Sequence, residues 1–222
     1  MSLVLAFDCA VRGLAVAVVR DGEVLASARE DGREQAARLL PAIADVLRTA
    51  GVAPRALSMI ACTTGPGSFT GVRVGLAAAR GLALALGIPL AGIATTAALL
   101  AEAPAGAQLA VAAIDSHLGD WFCALRAPDP APFLATTEVL AARLAGRPAV
   151  VIGPDAAVLA PLLADATAQV ALPDPVAIAR LALADGVEAW QERNRTDGLP
   201  RPLYLRGVNV TLPDGGRRTV DA

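Results

Sequence analysis

At 222 residues the chain can bury a substantial core, and it sits near the length at which one domain gives way to two compact lobes. A net charge of -2 shows no basic bias, so nucleic acid would have to be met by a local patch or through another subunit. Every basic residue is Arg, which removes the P-loop lysine, Schiff-base chemistry and a lysine general base. Cys9, Cys62 and Cys123 are scattered through apolar runs with no C-x-x-C pair, and His117 is the one histidine. A disulfide framework and a zinc cluster are therefore not expected, and a carboxylate magnesium site stays open. No basic residue precedes the first apolar run and Asp8 interrupts it, so no secretory signal is read and a cytoplasmic location is expected.

In chain order, Leu3 to Phe7 is an apolar run ending at Asp8, and Leu14 to Val19 is a second, followed by Asp21-Gly22 and Glu23 to Ala28. An Asp-Gly pair between apolar runs predicts a hairpin, because a type I′ turn needs positive φ at both central residues. From Arg33 to Ala50 apolar residues recur at three- and four-residue spacing before Gly51, which predicts an amphipathic helix that Pro41 kinks or restarts. Met59 to Thr63 reads as a buried strand, Gly65 to Gly71 as a glycine-rich turn, and Val72 to Leu86 as a helix. The uncharged stretch Gly81 to Ala101 has spanning length, but Gly87, Pro89 and Gly92 break it into helix, strand, helix, so no membrane span is expected. The last of these helices would take Thr95 or Thr96 as N-cap.

The first lobe is read as residues 1–105 and a smaller second lobe as 106–222. In the second, Leu109 to Ile114 and Trp121 to Arg126 repeat the opening pair of strands. Helices follow near Thr137 to Leu144, Asp155 to Ala164 and Pro175 to Arg193, with a strand at Ala149 to Ile152. The last ten residues are polar and Gly-rich and are expected to be disordered. This pattern predicts an α/β protein of mixed sheets with helices on their faces.

The most informative segment is Gly65-Pro66-Gly67-Ser68-Phe69-Thr70-Gly71-Val72-Arg73-Val74-Gly75, between a strand and a helix. Glycines there permit close approach and the helix start offers free N–H groups, so either a phosphate or a simple turn capped by Ser68 or Thr70 would suit it. Gly67, Gly71, Gly75, Ala79, Ala83 and Gly87 follow at steps of four, a ridge of small residues that would let another helix come close, inside the lobe or across a subunit boundary. Asp8, followed by Cys9-Ala10-Val11-Arg12-Gly13, resembles the phosphate hairpin of sugar-kinase and actin-like ATPases, with Cys, Ala and Val where hydroxyl or lysine side chains are usual. Asp115-Ser116-His117 has triad residue types, but consecutive residues of an extended chain point to alternate sides and cannot form a relay.

Taken together, Leu5-Ala6-Phe7-Asp8, Arg33-Glu34 with Leu39-Leu40-Pro41, the whole Gly65 to Gly75 run, Ala112-Ala113-Ile114-Asp115 with Gly119, and Pro202-Leu203-Tyr204-Leu205-Arg206 make the chain similar to the TsaB (YeaZ-like) family. The resemblance implies a two-lobed actin-like (ASKHA, ribonuclease H-like) fold. It also implies a non-catalytic scaffold or activator role in the complex that adds threonylcarbamoyl to the adenosine next to the anticodon, in tRNAs reading codons that begin with adenine. Expected partners are the metal-bearing catalytic relative TsaD and the ATPase TsaE, with tRNA reached through the complex and a homodimer formed when the chain is alone. The contact implied is a helical bundle using Leu39, Leu40, Ile43, Leu47, Gly71, Val72, Gly75, Leu76 and Ala79. Asp8, Gly65, Gly67 and Ser68 would be a degenerate nucleotide contact, with no intrinsic cofactor and ATP or ADP at the subunit contact. Gln35 stands where many relatives have His, and Cys9 and Val11 where they often have Thr, departures that weaken a nucleotide role. The alternatives are a stand-alone actin-like ATPase or kinase, resting on Asp8 and the glycine turn, and a glycoprotease-like peptidase using Ser68.

Overall fold

The computed structural model describes residues 1–107, 109–127 and 129–206, with the backbone of 208–211 and 217–220. Strands β1 (Leu3–Asp8), β2 (Leu14–Arg20) and β3 (Glu23–Glu30) form an antiparallel meander. The turn between β2 and β3 has positive φ at both Asp21 and Gly22, as a two-residue hairpin of this kind requires. Helix α1 (Gln35–Thr49) follows, and a short 3-10 turn at Pro54–Ala56 leads to β4 (Met59–Thr63), α2 (Phe69–Leu86), β5 (Leu90–Ile93) and α3 (Thr95–Ala101). Strands β4 and β5 add parallel to β1, giving the sheet order β3-β2-β1-β4-β5.

The second sheet repeats this plan. Strands β6 (Ala110–Asp115), β7 (Trp121–Leu125) and β8 (Phe133–Ala135) are an antiparallel meander, and β9 (Ala149–Gly153) and β10 (Ala166–Val170) add parallel beyond β6. Its order is β10-β9-β6-β7-β8, the first sheet's order strand for strand when read from the other edge. Helix α4 (Thr137–Leu144) precedes β9, and α5 (Ala156–Leu159), continued by a 3-10 turn at Ala160–Leu162, precedes β10. Helices α6 (Pro175–Asp185) and α7 (Val187–Thr196) follow, and the backbone of β11 (Val208–Thr211) and β12 (Arg217–Val220) pairs as a separate ladder. A doubled three-plus-two sheet of this order is the two-lobed actin-like architecture.

The helices do not respect a cut at residue 105. Helices α1 and α2 cover one face of the first sheet, but its other face is covered by α6 and α7 from the far end of the chain, while α3 packs on β6, β7 and β9. Strands β1 and β4 are buried along their whole length because both faces are covered, which is why they read as unbroken apolar runs. One core, including Val4, Ala6, Met59 and Ala61 of the sheet with Ile178, Ala179 and Trp190, forms only because α6 and α7 return to the first lobe. The spans 1–105 and 106–222 therefore describe the two sheets and not the layers on them.

Several local expectations differ from the structure. Helix α1 runs unbroken through Pro41, which lies on the exposed side, where the carbonyl freed by the missing N–H can meet water. The expected single helix Pro175 to Arg193 is two, divided at Gly186 with φ 88°. Neither Thr95 nor Thr96 is the N-cap of α3, which is Ala94; both threonines are buried in the first turn, and their hydroxyls find no partner among the described residues. Strands β8 and β10 have little signal in the sequence, because one is three residues beside prolines and the other an Ala-Thr-Ala-Gln-Val edge with few apolar side chains. The expected disorder of the last ten residues falls mainly on 213–216 and 221–222, which lie outside the described residues.

Candidate functional site

The glycine-rich turn sits where β4 passes into α2, against the β1–β2 turn. Ser68 is the N-cap of α2, its hydroxyl accepting from the Gly71 amide at 3.2 Å, while its own amide donates to the Ala10 carbonyl at 2.7 Å. A Cβ on Gly67 would overlap the Ala10 carbonyl oxygen, and one on Gly71 would overlap the Cys9 carbonyl oxygen. The small-residue ridge of α2 is thus turned inward, with Gly75 facing the Cys9 side chain and Ala79 and Ala83 buried below it. Opposite Gly67, Gly71 and Gly75 lies the chain's own hairpin, while α1 is the helix that packs beside α2 within the lobe. The two loops that would cradle a phosphate are stitched to one another.

Asp8 ends β1 with 0% exposure. One carboxylate oxygen accepts from the Thr63 hydroxyl at 2.6 Å and the Ala10 amide at 3.0 Å, and the other has no partner among the described residues. Burial raises its pKa to about 6, against the lowering effects of Thr63, the Ala10 and Val11 amides and Arg29. Burial likewise pushes the Cys62 thiol up to about 12 and raises Cys9, so neither supplies a thiolate near neutral pH. Of the residues expected to touch nucleotide, Asp8 and Gly65 are buried; Gly65 lies against the Leu203 backbone, and Gly67 and Ser68 line the space between the lobes.

The structure places most of the expected interface residues inside the lobe. Leu39, Ile43, Leu47, Gly71, Val72, Gly75, Leu76 and Ala79 are all buried inside their own lobe, and of the expected set only Leu40 is exposed, at 54%. Helical periodicity identifies residues that share a face but not what that face meets, and the more apolar face goes to the sheet. The outward faces of the same two helices nevertheless carry apolar residues, beside Arg38, Asp45 and Arg48 on α1 and Arg73 on α2. Pro41 and Ala44 lie exposed with Leu40 on α1, and Ala77, Gly81 and Ala85 lie exposed on α2 with Leu84, which is 72% exposed. By length and apolarity α2 would pass for a membrane span, but its buried face packs on β4 and the hairpin as a core helix does.

Between the lobes lies a cleft of about 400 Å³, lined from one side by Ala10, Arg12 and Ser68 and from the other by Asp115, His117 and Asp155. An ion pair between Arg12 and Asp155 crosses it. His117 lies beside Asp115 at 3.3 Å, whereas the Ser116 hydroxyl bonds to Asp120, so the triad types are not joined into a relay. No group of three His, Cys, Asp or Glu side chains among the described residues is placed to hold a metal.

The segment 198–206, of which Pro202 to Arg206 carries part of the family resemblance, is a strap across both lobes. The Leu203 amide donates to the Thr64 carbonyl at 2.8 Å, the Pro200 carbonyl accepts from Arg80 on α2, the Tyr204 hydroxyl accepts from Arg73, and Arg206 pairs with Asp120 in the turn between β6 and β7. Pro200 and Pro202, which keep the segment extended, were its readable signal.

A family model described as TsaD, tRNA N6-adenosine threonylcarbamoyltransferase, matches residues 28–117. The tRNA threonylcarbamoyladenosine biosynthesis protein TsaB of Escherichia coli K12 is 40% identical over 123 residues, which is 54% of this chain and 53% of that protein. The Bacillus subtilis protein of the same name is 34% identical over 100 residues, 45% of this chain and 44% of its own length. The aligned part of the chain thus spans about half the length of these curated relatives. Among solved structures, YeaZ from Pseudomonas aeruginosa superposes with a TM-score of 0.75 at 30% identity, covering 92% of this chain and 100% of that one. A second Pseudomonas aeruginosa structure, described as similar to peptidase YEAZ, gives 0.74 at 31% identity over 93% of this chain and 100% of its own. Full coverage of these structures at such identity, on the doubled sheet described above, places the chain in the TsaB (YeaZ) family.

Proposed function

We propose that this chain acts in the synthesis of threonylcarbamoyladenosine in tRNA as a docking subunit without catalytic groups of its own. It pairs with a catalytic relative of the TsaD type through the outward faces of α1 and α2, TsaE joins the assembly, and tRNA is reached through the complex. The observation that carries this reading is the apolar strip left exposed on two neighbouring helices, at Leu40, Pro41 and Ala44 and at Ala77, Leu84 and Ala85. The names of the similar proteins supply the pathway. The stitched glycine turn and the buried Asp8 speak against nucleotide turnover in this chain's own cleft, so any ATP or ADP belongs at the contact between subunits. When the partner is missing, the same strip pairs two copies of the chain, because an exposed apolar face seeks cover.

The test is co-purification with TsaD followed by light scattering on a size-exclusion column. Leu84→Arg puts a charge on the strip without touching the lobe's core and is expected to weaken both the heteromeric complex and self-association by about tenfold or more. Threonylcarbamoyladenosine in tRNA should fall in parallel in cells that depend on this chain. A Leu84→Arg protein that still forms the complex at wild-type concentrations would sink the assignment of this face.

A further inference from the structure

The first turns of α2 and the strap 198–206 form a second surface with its own chemistry. Phe69, Val72, Phe122, Leu203 and Leu205 wall a cavity of about 220 Å³. Phe69 stands at its mouth, 51% exposed. Arg73 stacks over the Phe69 ring at 3.7 Å and donates to the Tyr204 hydroxyl at 2.8 Å. Neither α2 nor the strap carries a carboxylate. Arg206 pairs with Asp120, while Arg73, Arg80 and Arg201 have no carboxylate in ion-pair range among the described residues. Arg73 thus stands beside the apolar pocket as a cation with no carboxylate to neutralise it among the described residues.

We propose that this surface docks an acidic peptide segment of a partner protein, one apolar side chain entering the cavity and a flanking carboxylate meeting Arg73. The inference goes beyond the subunit contact proposed above, because it uses the strap and the opposite end of α2 from Leu84. Charge complementarity selects an acidic partner. The cavity is smaller than the ~300–1,000 Å³ usual for small-molecule sites, which favours a single side chain as its occupant. Single-stranded RNA is the competing anionic partner, and the aromatic geometry disfavours it. Arg73 already covers the Phe69 ring, and the Phe69 and Tyr204 rings, 5.9 Å apart and tilted by 31°, leave no parallel slot for a base.

The experiment is fluorescence anisotropy of the full chain with labelled peptides of Asp and Glu carrying one central Leu, Phe or Ser, and with a uridine oligonucleotide. The Leu or Phe peptide is expected to bind saturably, and the Ser peptide about tenfold more weakly, since the cavity then stays empty. Arg73→Glu, an exposed change whose fold is checked by circular dichroism, should weaken the Leu and Phe peptides by about tenfold or more, and Arg73→Gln by less. Absence of saturable binding by both apolar-anchored peptides overturns the proposal, as do equal binding of the Ser peptide, indifference to Arg73→Glu, or tighter binding of the oligonucleotide.

Discussion

Gly71→Ala is expected to destabilise the folded chain by about 3 kcal/mol or more, whereas Gly75→Ala, one turn further along α2, should be neutral or stabilising by up to about 1 kcal/mol. The two glycines occupy the same ridge of the same helix and differ only in what lies opposite. A methyl group at 71 would overlap the Cys9 carbonyl oxygen, part of a backbone held on both sides by β1 and β2, so the clash is relieved only by moving α2 off the hairpin. At 75 the nearest atom is the Cys9 Cβ at 3.6 Å, an ordinary contact, and the helix gains what alanine offers over glycine. Urea unfolding of the two single variants, read by far-ultraviolet circular dichroism, separates the outcomes. Equal destabilisation by both would mean that the ridge as a whole is packed tight. Equal tolerance would mean that the hairpin yields, and that the glycines are kept free for something outside the lobe.

That pair also shows where sequence reasoning stops. The period of four in Gly67, Gly71, Gly75, Ala79 and Ala83 correctly announces a close approach, but the approaching backbone is Cys9 and Ala10, far away in the chain and carrying no mark of it. Of the residues expected on that face for partner contact, all but Leu40 are therefore buried against the chain's own lobe. Local chemistry was more legible. Asp21-Gly22 announces its hairpin, Ser68 its cap, and the unbroken runs of β1 and β4 a sheet covered on both faces. What covers the second face was not legible, because α6 and α7 return to the first lobe from the far end of the chain and nothing in their pattern names the sheet they meet. The strap was hidden for a related reason: Leu203, Tyr204 and Arg206 act through Thr64, Arg73 and Asp120, each contributed by a different element.

Asp8→Asn is expected to flatten the pH dependence of stability between about pH 4 and 7 and to make the chain more stable than wild type at pH 8 by about 2 kcal/mol. The carboxyl is fully buried and its pKa is raised to about 6 from an ordinary 3.8. Between those values the folded chain keeps a proton that the unfolded chain has released, so the stability contributed by this group is full below the lower value. It is lost as the pH climbs through the upper one. A gap of roughly two pH units at about 1.4 kcal/mol each corresponds to about 3 kcal/mol. Asparagine keeps an oxygen for the Thr63 hydroxyl and the Ala10 amide and carries no charge to strand, but it puts an amide where the second oxygen has no partner, which takes back part of the gain. Arg29, the cation acting on the site, is unchanged in the variant, and the thiols of Cys9 and Cys62 stay protonated throughout this range, so the wild-type-minus-variant difference isolates the one carboxyl. Denaturant titrations of both proteins from pH 4 to 8 give that difference directly. Parallel curves would show a carboxylate already ionised and solvated in the folded chain, which requires the glycine turn and the hairpin to stand apart and would reopen the cleft to a nucleotide.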